Sequence, residues 1–227
     1  YMLMVPILDR FSLKFTAIFL SVLLLLAGWF SLLAFSRNRE WRDERTVLES
    51  ALRENPKALY SLYRLGITYE KMGNYKKALN LLTRIFTAGA SQRITAQTMV
   101  QIADIYRMGR EYEKAVSITE SALKILPGYL PAYHQLGLIF LMKGENEKAL
   151  KYFQNEIEGT DNKAGVCLRI AEDFMSKGDY EEAVRFLEKS LLFNPRQGEA
   201  YFNLAKILER KGKNKEAIQY YQKAVKY

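Results

Sequence analysis

The residues best equipped for chemistry are few. The 227-residue chain carries one cysteine, Cys167, and one histidine, His134. Held within hydrogen-bond reach, the two would form a thiolate–imidazole nucleophile. They are poor material for a zinc site, which usually takes four ligands from Cys, His and carboxylates. A single cysteine also excludes an internal disulfide. The sequence shows no glycine-rich phosphate loop, no serine nucleophile elbow and no carboxylate pair in a recognisable setting, so neither catalysis nor a resident cofactor or metal is expected. Cys167 moreover recurs in one column with Leu62, Met99, Tyr133 and Tyr201. That periodicity makes it a small core residue.

What positions such columns is a repeat. Ala78, Ala115, Ala149, Ala183 and Ala217 are spaced by 37, 34, 34 and 34 residues. Twelve positions earlier runs a second small column, Gly66, Ala103, Gly137, Ala171 and Ala205, each preceded by an aliphatic residue. Three positions after it stands a bulky residue, Tyr69, Tyr106, Phe140, Phe174 or Leu208, and a glycine at 73, 109, 144, 178 or 212 ends the segment. Apolar residues at offsets of three, four and seven describe one face of a helix, and glycine supplies the left-handed residue that stops it. The small columns let two antiparallel helices approach closely while the bulky columns fill the space beside them. With 49% hydrophobic and 26% charged residues, the composition suits a packed array and excludes a disordered or low-complexity chain.

These residues resemble the tetratricopeptide repeat (TPR). The strongest copies are LRIAEDFMSKGDYEEAVRFLEKSLLFNP from Leu168 and AYFNLAKILERKGKNKEAIQYYQKAV from Ala200, and Leu126-Pro127 and Asn194-Pro195 close units as the family's proline does. The resemblance implies an all-α fold, an α-solenoid of about five helix pairs over 59–227, with repeats at 59–92, 96–129, 130–163, 164–197 and 198–227. Residues 37–58 read as a linker and capping helix. Glu156 stands in the column of Ala122 and Ala224, and its unit ends in Gly159-Thr160-Asp161-Asn162 without proline, so a softer joint is expected between the third and fourth repeats. The array also ends at Tyr227 without the polar capping helix that such arrays commonly use.

By resemblance, TPR domains bind proteins along a concave face lined by the first helix of each pair. Carried over column by column, that face holds Tyr60, Tyr63, Arg64 and Ile67, then Gln101 and Asp104, then His134, Gln135 and Leu138. It continues with Arg169 and Glu172, and with Phe202, Asn203 and Lys206. A mixed apolar and polar groove suits an extended peptide or a partner helix. The family's carboxylate clamp for chaperone C-termini needs Lys and Asn at set columns, where the first repeat has Tyr63 and Ile67, so that ligand is not expected.

The N-terminus has a different character. Phe15 to Phe35 is a run of 21 residues without a charge. As a helix it would span about 31 Å, the thickness of a bilayer's hydrocarbon core. With a flank at 1–14 and a span at 15–36, it reads as an uncleaved single-pass anchor. Ala17, Ser21, Gly28 and Ser31 share one face of that helix, where a second membrane helix would pack closely. Four basic residues follow the span (Arg37, Arg39, Arg42, Arg45) and two precede it (Arg10, Lys14), which favours a cytoplasmic array.

The charge excess gathers at the other end. Between Lys206 and Lys226 stand seven Lys/Arg against Glu209 and Glu216. Anionic lipid, nucleic acid or an acidic partner would each be attracted. No base-stacking motif accompanies the patch, so nucleic acid is not favoured. The expected function is a membrane-anchored scaffold, an accessory subunit or assembly factor of a membrane complex. Its rival is a receptor or co-chaperone that holds client peptides transiently in the groove.

Overall fold

In a computed structural model, the structure describes residues 44–227 and the single position Leu26. The expected membrane span, with Ala17, Ser21, Gly28 and Ser31, lies outside the described residues. Among those described, no helix is long and apolar enough to cross a membrane.

The described residues form eleven helices and no strand. Helix α1 spans Glu44–Glu54 and covers the first pair, α2 (Leu59–Lys71) and α3 (Tyr75–Thr87). The further pairs are α4 (Gln92–Met108) with α5 (Tyr112–Ile125), α6 (Leu130–Lys143) with α7 (Asn146–Glu158), α8 (Lys163–Lys177) with α9 (Tyr180–Phe193), and α10 (Gly198–Arg210) with α11 (Asn214–Lys226). The 37-residue first spacing is absorbed at α4. With 17 residues it is the longest described helix, and it begins at Gln92, four positions before the start expected for that unit.

The glycines of the earlier small column lie directly against the side chains opposite them. A Cβ on Gly137 would lie 2.3 Å from the Phe153 ring, and one on Gly66 would lie 2.8 Å from Leu82. Where the facing residue is Thr119 or Leu187, the column carries alanine, Ala103 or Ala171. Partner bulk alone does not set the choice, because Gly66 and Ala171 both face a leucine and Ala205 faces Tyr221.

All five turns within the pairs share one hydrogen bond, from the backbone N–H after the left-handed residue to the carbonyl of the bulky column: Asn74 to Tyr69, Glu111 to Tyr106, Glu145 to Phe140, Asp179 to Phe174 and Lys213 to Leu208. This is the long-range bond of a Schellman motif. Gly73, Gly144, Gly178 and Gly212 take the left-handed conformation at φ 74° to 86°. The second repeat departs from the sequence expectation. Gly109 is right-handed at φ −74°, and Arg110 occupies the left-handed position at φ 60°.

The core is continuous from α6 to α10, through Leu136, Phe140, Phe153, Ile157, Phe174, Phe186, Leu187 and Leu204. Phe153, Phe174 and Phe186 form an unbroken chain of ring contacts. The ring contact between Phe153 and Phe174 crosses the joint between the third and fourth repeats, where the helices of successive pairs otherwise touch least. The core also thins at the second repeat, where two small clusters are built mainly on Ala96, Ala103, Ala115, Ala122 and Ala132. Cys167 is a buried member of the large cluster, and burial pushes its thiol up.

Candidate binding groove

The first helices of the pairs are joined across the concave face by a ladder with a constant step. Gln101 Nε2 donates to Glu70 Oε2 at 2.5 Å. Gln135 Nε2 donates to Asp104 Oδ1 at 3.2 Å, and Asn203 Nδ2 to Glu172 Oε1 at 3.2 Å. Each rung ties an amide to a carboxylate 31 residues earlier. The carboxylates are not equivalent. Glu70 is buried, next to Asp104, and desolvation raises its carboxyl to about 7. Asp104 also receives two N–H groups from Arg107 one turn on, one of them at 2.9 Å. Gln135 and Asn203, both buried, therefore spend their amides on the frame.

One rung is missing. In the column of Asp104 and Glu172 stands Leu138, so Arg169, which occupies the amide column, has no acceptor there. It turns to Glu156 on α7. Glu156 is 1% exposed in a column that holds small side chains in the other repeats after the first, Ala122, Ser190 and Ala224. His134 completes the site, with Nδ1 3.0 Å from Glu156 Oε2 and Nε2 3.4 Å from Asp173 Oδ2. Burial raises the Asp173 carboxyl to about 6, against the pull of His134, Arg169 and Arg107. The arrangement fastens α6, α7 and α8 together. His134 Nδ1 is committed to Glu156, and Cys167 lies in the apolar core.

What remains open to a ligand is a subset of the expected groove. Tyr60 is 71% exposed, and Phe202 and Arg169 are about half exposed. Arg64 is exposed and paired with Glu44 on α1, one N–H at 3.0 Å. Tyr63 is half-buried and bonded to Gln97, and desolvation raises its hydroxyl. Ile67, Gln101, Asp104, His134 and Leu138 are partly buried, while Glu172 and Lys206 are exposed. Ile67, Glu70, Lys71, Tyr75, Gln101, Asp104 and Met108 line a hollow of about 380 Å³ at the first joint of the ladder. Glu70, Glu156 and Asp173 were not singled out as site residues. Glu156 left a trace, as a charge in a small column; Glu70 and Asp173 left none, because their burial follows from the neighbouring repeat.

Among the described residues no group of three His, Cys, Asp or Glu is placed to hold a metal ion.

Three stretches match family models described as tetratricopeptide repeat: residues 60–87, 130–155 and 168–226. A search of curated proteins found no match. Among solved structures the chain is similar to a human IFIT1 dimer with m7Gppp-AAAA, at 20% identity and a TM-score of 0.58 over 79% of this chain and 44% of that one. It is also similar to the Cut9–Hcn1 hetero-tetramer of APC/C, at 14% identity and a TM-score of 0.56 over 80% and 35% of the two chains. MamA aligns at 20% identity over 71% of this chain and 93% of its own, with a TM-score of 0.49. The first two likenesses carry the fold alone.

Proposed function

We propose that this chain, whose described residues form a solenoid of tetratricopeptide repeats, is a membrane-anchored protein-interaction scaffold that serves as an accessory subunit or assembly factor of a membrane complex. One observation carries the interaction part. The concave face presents exposed aromatic and cationic side chains, Tyr60, Arg64, Arg169 and Phe202, on a frame whose own amides are already paired. Such a surface is preorganised, so less ordering cost opposes binding. The uncharged run from Phe15 to Phe35 supports the membrane part.

The test is co-purification of the tagged full chain from native membranes in mild detergent, followed by gel filtration and mass spectrometry. A fixed set of partners at constant ratio is expected, reduced by the triple change Tyr63→Ala, Arg64→Ala and Phe202→Ala. A heterogeneous, substoichiometric set would replace the subunit reading with a transient client receptor. A monomer that enriches nothing would sink both.

A further inference from the structure

The first helix pair carries a second hollow, which shares no residue with the concave groove. It measures about 630 Å³, within the range of small-ligand sites, and lies between α1, α2 and α3. Leu52, Leu65 and Leu81 give it an aliphatic lining, and Lys76, Lys77 and Arg84 border it. Because α1 closes one side, it is a cleft among three helices rather than a face left bare at an end of the array. The later repeats fill the equivalent space. In the last three, the column of Leu81 holds rings, Tyr152, Phe186 and Tyr220. Tyr152 stacks on Phe140 at 5.5 Å, and Phe186 on Phe174 at 5.6 Å. Tyr69, the matching ring of the first repeat, shares its hollow with a leucine instead.

The charge differs as well. Lys76 stands in a column that holds Glu113, Glu147 and Glu181 in the next three repeats. Lys114 and Lys148, the equivalents of Lys77, are each paired with a carboxylate three residues earlier, Glu111 and Glu145. That position is Asn74 in the first repeat, and Lys77 Nζ stands 5.0 Å over the Tyr69 ring. Among the described residues neither Lys76 nor Lys77 forms an ion pair. Arg84 donates to the Pro56 carbonyl at 2.8 Å, an uncharged acceptor, and Arg53 adds a fourth cation to the lining. Glu49, the one carboxylate there, accepts the Tyr69 hydroxyl at 2.6 Å.

We infer that this cleft holds one anionic phospholipid of the membrane in which the chain is anchored. The lipid phosphate meets Lys76, Lys77 and Arg84, and the start of an acyl chain lies on Leu52, Leu65 and Leu81. The inference rests on the membrane anchoring proposed above and adds a lipid site to it. Residues 37–43 separate the expected span from Glu44, so chain geometry keeps α1 within about 30 Å of the bilayer surface. Other occupants lack the charge. The stretch before α1 carries Arg37, Arg39 and Arg42 against Glu40 and Asp43, and a second copy brings the same net charge of +9. An anionic headgroup complements the four cations, and the bilayer presents it at high local concentration.

The test offers the full chain, in dodecyl maltoside, equimolar dioleoyl phosphatidylglycerol and dioleoyl phosphatidylcholine and counts retained lipid by native mass spectrometry. One phosphatidylglycerol per chain is expected, with about tenfold preference over phosphatidylcholine, a difference of about 1.4 kcal/mol. Lys76→Glu with Lys77→Glu installs the pair found at Glu181 and Glu182. Both lysines are exposed, so the preference should vanish with the helix content unchanged. Leu81→Phe, the residue of the fourth repeat at that column, should fill the cleft and cut retention about tenfold. The lysine pair decides the matter if this buried change fails to fold. Lys206→Glu with Lys226→Glu, at the basic far end, should change nothing.

Equal retention of the two lipids overturns the proposal. So does a preference that ignores the Lys76 and Lys77 changes and is lost with those at Lys206 and Lys226, which would make the effect a diffuse basic surface. Displacement of the lipid by an equal concentration of glycerol 3-phosphate would reduce the site to one for free anions and also overturns it. A glutamate-flanked amphipathic peptide that displaces the lipid, and loses this ability with Lys76→Glu and Lys77→Glu, would give the cleft to an acidic partner helix instead. Alkaline carbonate extraction of native membranes separates this inference from the anchoring reading. A chain that stays in the membrane pellet yet shows no phosphatidylglycerol preference keeps its anchor and loses this site.

Discussion

The second repeat and the joint between the third and fourth repeats make an instructive pair. The second keeps the repeat's small columns intact as Ala103 and Ala115, yet its core is two small clusters built mainly on alanines, with Thr98 and Thr119 buried beside them. Both threonine hydroxyls donate to carbonyls of their own helices, Ile94 and Ala115, at 2.7 Å. The third joint breaks the pattern with a buried acid and a missing rung, yet it carries the ring chain Phe153, Phe174 and Phe186. Conformity to a repeat pattern and strength of packing are thus separate properties. The small columns set how close the helices come, and the bulk of the facing side chains sets how much apolar surface that approach buries.

The largest effect that sharpens this contrast is truncation of matched positions. Phe153 and Thr119 occupy one column in successive repeats and both are fully buried. Phe153→Ala is expected to cost about 3–5 kcal/mol by urea unfolding, the range for a large core side chain. Thr119→Ala should cost about 1 kcal/mol, because it removes one methyl and one local hydrogen bond. Equal losses at the two sites would erase the distinction between the regions.

Next in size is the acid cluster. His134→Leu removes a ring N–H donor from a carboxylate that is 1% exposed, leaving Arg169 as its remaining partner. A loss of about 2–3 kcal/mol is expected, since a buried acid short of a partner carries its desolvation cost uncompensated. Adding Glu156→Ala, which restores the residue found at Ala122, should recover most of it. The pair then shows a coupling energy that independent sites lack. Purely additive losses would mean that His134 and Glu156 do not act as a unit.

The two regions also titrate in different windows. Burial raises Glu70, at the first joint, from 4.5 to about 7, and Asp173, at the third, from 3.8 to about 6. A carboxyl raised on folding favours the protonated native form. Its contribution is therefore complete below the unfolded value and is lost as pH rises through the folded one. Hydrogen exchange of α2 and α4 should thus speed up between about pH 5 and 7, equivalent to about 1–2 kcal/mol of local stability, and that of α8 between about pH 4 and 6. Glu70→Gln should flatten the first window and leave the second unchanged. A loss of both windows in that variant would mean that the titration is not local.

The fold was legible where a residue type has one steric purpose. The alanine and glycine columns, the bulky column after them and the turn glycines mark out five helix pairs. The site was legible only in outline. Of the expected groove residues, Tyr60, Arg64 and Phe202 are exposed, whereas Gln135 and Asn203 have amides committed to rungs. A rung joins residues 31 apart, and its partner stands outside the repeat in which the donor is counted. The 34-residue register compares equivalent positions, so it hides contacts made between unequal ones. The aromatic chain was hidden for a related reason: each ring belongs to a different column, and their contact arises from stacking alone.

The smallest effect concerns the turn that closes the first helix of the second repeat. Its glycine stands one position early, leaving Arg110 to adopt φ 60° while Gly109 takes an ordinary helical conformation at φ −74°. The turn still makes the bond from Glu111 N–H to the Tyr106 carbonyl at 2.8 Å, so the surrounding structure holds Arg110 there against its preference. A left-handed non-glycine residue costs about 1–2 kcal/mol, part of which glycine would give back through its freer unfolded chain. Arg110→Gly is therefore expected to stabilise the array by about 0.5–1 kcal/mol. Gly109→Ala should add a similar amount, because a Cβ at that position meets nothing nearer than 3.5 Å. The combined variant should bring exchange in α4 and α5 closer to that in α6 and α7 without changing the core. If it stabilises the protein yet leaves the second repeat exchanging as before, the deficit lies wholly in the thin core between its helices. If exchange there slows to match the third repeat, the misplaced glycine accounts for a real share of the difference between the regions.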